Sequence, residues 1–150
     1  MNNKMYISWN HYIELCKNLA SQIKKNEFTD IIAVSRGGLI PSQIIAYQLE
    51  IPRIHCAGMS TYNLVNEKTD IPYVYQEPTC IFQEQQKILI IDDVADTGHT
   101  LKALLDKYVN VEYKKCATLH FKSRSIIEPT FYVDAIDNDV WIVYPYEKNR

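Results

Sequence analysis

The chain has 150 residues, 47% of them apolar, with charges of both signs mixed along its length; that is enough for one domain with its own core and excludes a disordered chain. The formal net charge is −2 and no basic tract exceeds two residues, which argues against a nucleic-acid-binding surface as the main function. No apolar run is long enough to span a membrane and Met1-Asn2-Asn3-Lys4 has no signal-peptide pattern, so a soluble cytoplasmic protein without a membrane partner is expected. In chain order, Trp9, Tyr12, Ile13, Cys16, Leu19, Ala20 and Ile23 recur at helical spacing behind Ser8, a capping residue, and Lys24-Lys25-Asn26 ends that helix. Ile31 to Val34 has the unbroken apolar character of a strand covered on both faces. Ser35-Arg36-Gly37-Gly38 follows as a loop, and Leu39 to Leu49 as a helix with Pro41 tolerated in its first turn.

A second strand is expected from Arg53 to Met59. From Ser60 to Thr79 no periodicity is clear, and so long a stretch inside a compact domain reads as a functional lid or mobile segment. Cys80 to Gln83 reads as a short strand leading to the apolar run at Lys87; Leu101 to Tyr108 as a helix; Cys116 to Phe121, Phe131 to Ala135 and Trp141 to Tyr144 as further strands. Strands alternating with helices give a single α/β domain, residues 1–150, around a parallel sheet. Cys16, Cys56, Cys80 and Cys116 are scattered, without a Cys-x-x-Cys, and read as buried free thiols. The four histidines show no metal-ligand spacing.

The most informative stretch runs from Lys87 to Thr100. The buried-type run Ile88 to Ile91 stops at Asp92-Asp93, and Asp96 follows three residues later in the turn Val94-Ala95-Asp96-Thr97-Gly98-His99-Thr100. Folding alone does not require three acids at the end of a core strand, since a helix cap uses one. In open parallel sheets ligands bind beyond the carboxyl ends of the strands. Side chains alternate along a strand, so Asp92 and Asp93 are expected on opposite sides, addressing two parts of one polyol or acting through a metal's water. A turn feeding a helix N-terminus presents backbone N–H groups to an anion, and Thr97 and Thr100 add hydroxyls. The loop at Arg36 lies at the same edge, with two glycines that allow close backbone approach and a guanidinium that can fork onto phosphate oxygens. One edge thus offers two anion cradles with acids between them.

The Lys87–Thr100 segment resembles the phosphoribosyl-pyrophosphate (PRPP) signature of type I phosphoribosyltransferases, in its purine branch. Ile31 to Pro41 is similar to the family's pyrophosphate loop and its flanks. Tyr6-Ile7-Ser8-Trp9 and Asp139-Val140-Trp141-Ile142 resemble the bacterial xanthine–guanine enzymes. The resemblance implies a mostly parallel central sheet flanked by helices with a small C-terminal hood. It implies PRPP and a purine base as substrates, Mg²⁺ as cofactor, and a homo-oligomer, dimer or tetramer. By resemblance, Arg36 and Gly37 would hold pyrophosphate, and Lys68 could reach over it from the 60–79 loop. Asp92 and Asp93 would hold the ribose hydroxyls, with Asp93 at the metal. Val94, Ala95, Asp96, Thr97, Gly98, His99 and Thr100 would take the 5-phosphate, Ala95 and His99 departing from the residues many relatives carry there. Asp96 would be the catalytic residue, taking a proton from the base. Lys122, donating to a 6-oxo group, Trp141, stacking, and the Ile142 carbonyl would complete the base pocket.

The expected function is therefore salvage of guanine, xanthine or hypoxanthine to the nucleoside 5′-monophosphate. The alternatives are a PRPP- or nucleotide-binding regulator on the same fold and a phosphoribosyltransferase for another nucleobase. A regulator would need the acids and the phosphate loop but no base pocket.

Overall fold

The computed structural model describes residues 3–62 and 68–147, apart from the side chains of 61–62 and 68–71. In chain order the elements are β1 (Asn3–Tyr6), α1 (Trp9–Ser21), β2 (Asp30–Ser35), α2 (Leu39–Leu49), β3 (Arg53–Tyr62), β4 (Lys68–Gln76), β5 (Lys87–Ala95), α3 (His99–Lys107), β6 (Tyr113–Lys122), β7 (Phe131–Ile136) and β8 (Val140–Val143). Six strands form one sheet in the order β4-β3-β2-β5-β6-β7, and β1 pairs with β8 in a separate two-stranded sheet. All neighbours in the large sheet are parallel except β3 and β4. This is the α/β architecture expected from the sequence.

The apolar runs at β2 and β5 serve two cores at once. Ile31, Leu89 and Ile91 face one side, where they pack with Tyr12, Leu15, Leu19 and Ile45 from α1 and α2. Ile32, Val34, Ile88 and Ile90 face the other, against Leu101 and Leu104 of α3 and Val111. Such double coverage is why these strands show no polar alternation. Ser8 caps α1 as its position implied, accepting from the His11 N–H at 3.2 Å. The register Ile31↔Leu89 and Ala33↔Ile91 aligns the carboxyl ends of β2 and β5, so the loops at Arg36 and Asp92 leave the sheet side by side.

Three expectations need correction, and one strand was not expected. Within 60–79, β3 runs on to Tyr62 and Lys68–Gln76 is a strand antiparallel to it. Register shifts break its periodicity, and Pro72, which can donate no ladder hydrogen bond, is tolerated because β4 is an edge strand. Residues 63–67 of that region lie outside the described residues. Cys80 to Gln83 is not a strand, and the segment carries Cys80 exposed, not buried. The unexpected strand is the N-terminal segment, whose only partner among the described residues is the far-distant β8, Asn3 opposite Val140.

Ile90 is fully buried between strands on the α3 side. Ile90→Ala is expected to cost roughly 2–5 kcal/mol, read as a lowered urea midpoint with an unchanged slope; a loss below about 0.5 kcal/mol, the scale of a surface substitution, would contradict close packing there.

Candidate active site

The loop after β2 and the end of β5 meet with almost no space between them. A Cβ at Gly37 would lie 2.2 Å from Asp93 Oδ2, and one at Gly38 would lie 2.2 Å from the Ile91 carbonyl oxygen. Both glycines are therefore demanded by close approach. The Gly38 N–H donates to the Val34 carbonyl at 2.7 Å, which turns the chain tightly into α2, and the Ser35–Arg36 peptide is cis. Arg36 is exposed beside the cleft, and no carboxylate of the described residues pairs with it.

The Asp93 carboxylate has a partner on each oxygen. Oδ1 accepts from the Val94 N–H at 2.7 Å and Oδ2 from the Tyr146 hydroxyl at 2.8 Å. Asp92 Oδ1 accepts from the Asp93 N–H at 2.9 Å. Tyr144 adds a second tether, its hydroxyl donating to the Asp93 carbonyl at 3.1 Å while lying 2.7 Å from His120 Nδ1. A hydroxyl has one proton to give, so His120 must donate from Nδ1 to the tyrosine oxygen. Burial holds the His120 imidazole down, to about 4, and its Nε2 is buried without a hydrogen bond. The histidine is thus a neutral strut beneath the acids.

Burial, then the adjacent Asp93 carboxylate, push Asp92 well above the ordinary carboxylate range. Burial also raises Asp93, against the lowering effect of the Tyr146 hydroxyl and the Val94 N–H. Among the described residues neither acid has a cationic side chain as partner. Two crowded, uncompensated carboxylates are hard oxygen donors, a set that fits Mg²⁺. The described residues contain no group of three or more candidate metal ligands, so the remaining ligands of such an ion would come from substrate and water.

Beyond Asp93 the chain enters the second cradle. Gly98 has φ 81° and caps α3 without a side-chain cap bond, leaving first-turn N–H groups open at the positive end of the helix dipole. A Cβ at Gly98 would lie 2.3 Å from Ser125 Oγ, and the Ile126 N–H donates to the Thr97 carbonyl at 2.9 Å. The 123–127 segment therefore backs the loop formed by Ala95 to Thr100. At the loop's entrance, Lys122 Nζ lies 3.3 Å from Asp96 Oδ1, and Arg124 reaches the same oxygen through Nε, at 2.7 Å, and through Nη2. The described residues give Asp96 Oδ2 no hydrogen-bond partner. Trp141, on β8, is 46% exposed, so it is not a core tryptophan; Ile142 beside it is buried.

A cavity of about 740 Å³ opens over the first cradle, lined among others by Arg36, Gly37, Tyr75, Asp93, Tyr146 and Glu147. Asp96, Lys122 and Trp141 do not line this cavity. Sequence reading missed four contributors. Tyr146 and Glu147 come from the chain after β8, carried back to Asp93 by the β1–β8 pairing. Tyr75 comes from β4, its hydroxyl 3.0 Å from Ser35 Oγ. Arg124 follows Lys122 by two residues, and that basic pair just past a strand end was the one local signal available. The Lys68 expectation concerns a side chain outside the described residues.

A family model described as a phosphoribosyl transferase domain matches residues 3–149. A xanthine-guanine phosphoribosyltransferase of Idiomarina loihiensis is 28% identical over 97% of this chain and 88% of its own length. The crystal structure of a purine phosphoribosyltransferase from Pyrococcus horikoshii superposes with TM-score 0.86 at 25% identity, over 100% of this chain and 97% of that one. A xanthine-guanine-hypoxanthine phosphoribosyltransferase of Helicobacter pylori, at 16% identity, shares the fold with TM-score 0.80 over 97% and 95% of the two chains.

The raised carboxyl of Asp92 has a stability consequence whose sign is opposite to the usual acid. The folded chain holds that proton more tightly than the unfolded chain, so ionised Asp92 costs stability at neutral pH, and the cost is relieved as pH falls through the raised folded value. Asp92→Asn keeps an oxygen for the Asp93 N–H and removes the charge. It is expected to raise Tm by a few degrees at neutral pH, with the gain shrinking in acid; a lower Tm at neutral pH would refute the assignment.

Proposed function

The chain belongs to the phosphoribosyl transferase domain family, and we propose that it transfers the phosphoribosyl group of PRPP to a 6-oxopurine, giving the nucleoside 5′-monophosphate and pyrophosphate. The observation that carries the base class is the pairing of Asp96 with Lys122, 3.3 Å apart at one mouth of the site. On a 6-oxopurine, N7 and the 6-oxo group lie next to each other on one edge of the ring system. A carboxylate beside an ammonium matches an N7 that must lose a proton and an oxygen that accepts one hydrogen bond. Adenine carries an amino donor at the same position, which an ammonium would oppose.

The roles divide along the acid strand. The Arg36–Gly37 loop binds the pyrophosphate, with Arg36 and backbone N–H groups as donors. The Ala95–Thr100 turn and the N-terminus of α3 bind the 5-phosphate. Asp92 and Asp93 face the ribose hydroxyls and would hold Mg²⁺, which when bound neutralises charge on the pyrophosphate. Tyr146 keeps the Asp93 carboxylate turned toward the cleft. Asp96 takes the proton from the purine through Oδ2, while Arg124 and Lys122 fix its other oxygen; general-base help of this kind contributes about 10²–10⁴-fold. Trp141 offers a half-exposed ring face for the base, and stacking contributes about 1–3 kcal/mol without selecting among purines.

The deciding assay mixes the protein with PRPP, Mg²⁺ and, in turn, guanine, hypoxanthine, xanthine, adenine and uracil. Nucleotide is expected from at least one 6-oxopurine and not from adenine or uracil; binding of PRPP without turnover on any base would replace the enzyme reading with a regulatory one. Asp96→Asn is expected to lower kcat by roughly 10²-fold or more with PRPP affinity nearly unchanged, and equal rates would remove Asp96 from the chemistry. Lys122→Ala is expected to erode the preference for 6-oxopurines over adenine, measured as a ratio of kcat/KM values.

A further inference from the structure

At the amino-terminal ends of β2 and β3, away from the acid strand's tip, three side chains stand in line. Asp30 is fully buried, and His55 Nε2 lies 2.9 Å from its Oδ1. The carboxylate is fixed further by Arg53 Nε at 2.8 Å, Arg53 Nη2 at 3.2 Å and the Thr29 hydroxyl at 2.6 Å. Burial works to raise Asp30, but these hydrogen bonds outweigh it and hold the carboxyl well below its usual range. An ionised carboxylate only accepts, so His55 carries its proton on Nε2. Nδ1 then presents a lone pair, and it lies 3.4 Å from Cys80 Sγ. Phe82 packs edge-on against the imidazole, ring centres 4.9 Å apart at 88°, which pins the ring between its two partners.

The order exposed thiol, imidazole, buried carboxylate is that of an activated nucleophile whose base is oriented by a third group. The other cysteines lack it. Cys16 and Cys116 are buried, and burial pushes both thiols up, Cys16 to about 12. Cys56 follows His55 on β3 and so projects from the opposite face of the strand. A metal site fits poorly, because the Asp30 oxygens are already taken by Arg53, Thr29 and His55.

We propose that Cys80 is a reactive-thiol site for low-molecular-weight disulfides, with His55 as its general base and Asp30 as a positioning residue. The Cys80 sulfur attacks one sulfur of the disulfide R–S–S–R while His55 Nδ1 takes the thiol proton. The Cys80–S–S–R bond forms, the original S–S bond breaks, and the departing RS⁻ leaves as RSH with the proton from His55. Cys80 is oxidised, the leaving sulfur is reduced, and no other reactant is needed. The site shares no residue with the phosphoribosyl-transfer machinery.

The folded protein is incubated at neutral pH with oxidised glutathione, and adducts are followed by intact mass and peptide mapping. A single adduct at Cys80 is expected, formed at least about tenfold faster than at Cys56. His55→Gln should slow the Cys80 reaction by roughly tenfold or more and leave the Cys56 rate alone, with phosphoribosyl transfer unchanged. Added imidazole should restore part of the rate in His55→Ala, an outcome that a merely structural role for His55 would not give. Labelling of Cys16 and Cys116 reports any variant that unfolds, and the wild-type order of labelling then decides by itself. Cys56 reacting first, or a folded His55→Gln with the parent Cys80 rate, would overturn the proposal.

Discussion

The approach of the Gly37 backbone to the Asp93 carboxylate is the constraint on which the site depends. The parallel register of β2 on β5 brings the two loops out side by side, and the missing side chains at Gly37 and Gly38 let them close to contact. The backbone of one loop is thereby held at a fixed distance from the acids of the other. Under the proposed function, a ligand with negative groups at both ends and hydroxyls between would meet donors and acceptors already spaced, leaving little ordering for binding to impose. Tyr146 and Tyr144 finish the arrangement from behind, one on the carboxylate and one on the carbonyl of the same aspartate.

Two acidic centres, one fully buried and one half-buried at the sheet's open end, differ in what surrounds them. Asp30 is surrounded by donors, one of them a guanidinium, and its carboxyl is depressed in spite of burial. Asp92 and Asp93 are crowded together with hydroxyl and backbone donors only, and both are raised. The first arrangement ties strands together and leaves the carboxylate with nothing further to bind. The second leaves charge uncompensated at the open end of the sheet, at a cost in stability that a bound cation would relieve. The same residue type is thus fully partnered at one end of the sheet and left without a cationic partner among the described residues at the other.

The sheet and the two loops that meet at its edge were legible because strong local signals mark them. The unbroken apolar runs at Ile31 and Ile88 can only be doubly covered strands, and an acid triplet or a paired glycine directly after such a run has few other meanings. What stayed hidden depends on contacts between distant parts of the chain. β1 is four residues long and mostly exposed, and only its partner at Val140 makes it a strand. β4 is interrupted by irregular pairing and a proline. Arg124 on Asp96, Tyr146 on Asp93 and Cys80 on His55 are side-chain meetings that no spacing rule encodes. The assignment of base-facing roles to Lys122 and Trp141 came from resemblance; the structure adds that Lys122 stands next to Asp96 and that Trp141 keeps a solvent-facing ring.

The pairing of β1 with β8 also sets an order of events during synthesis. The loops after β2 and β5 rest on those strands, their helices and, for the second, the 123–127 segment, all of which precede β8. The tyrosine that holds Asp93 follows β8, whose partner β1 precedes all the other described elements. Closing a loop over nearly the whole described chain is among the slowest contacts to form. A nascent chain would therefore expose the acid cluster with the Asp93 carboxylate still unfastened until the residues after β8 are made.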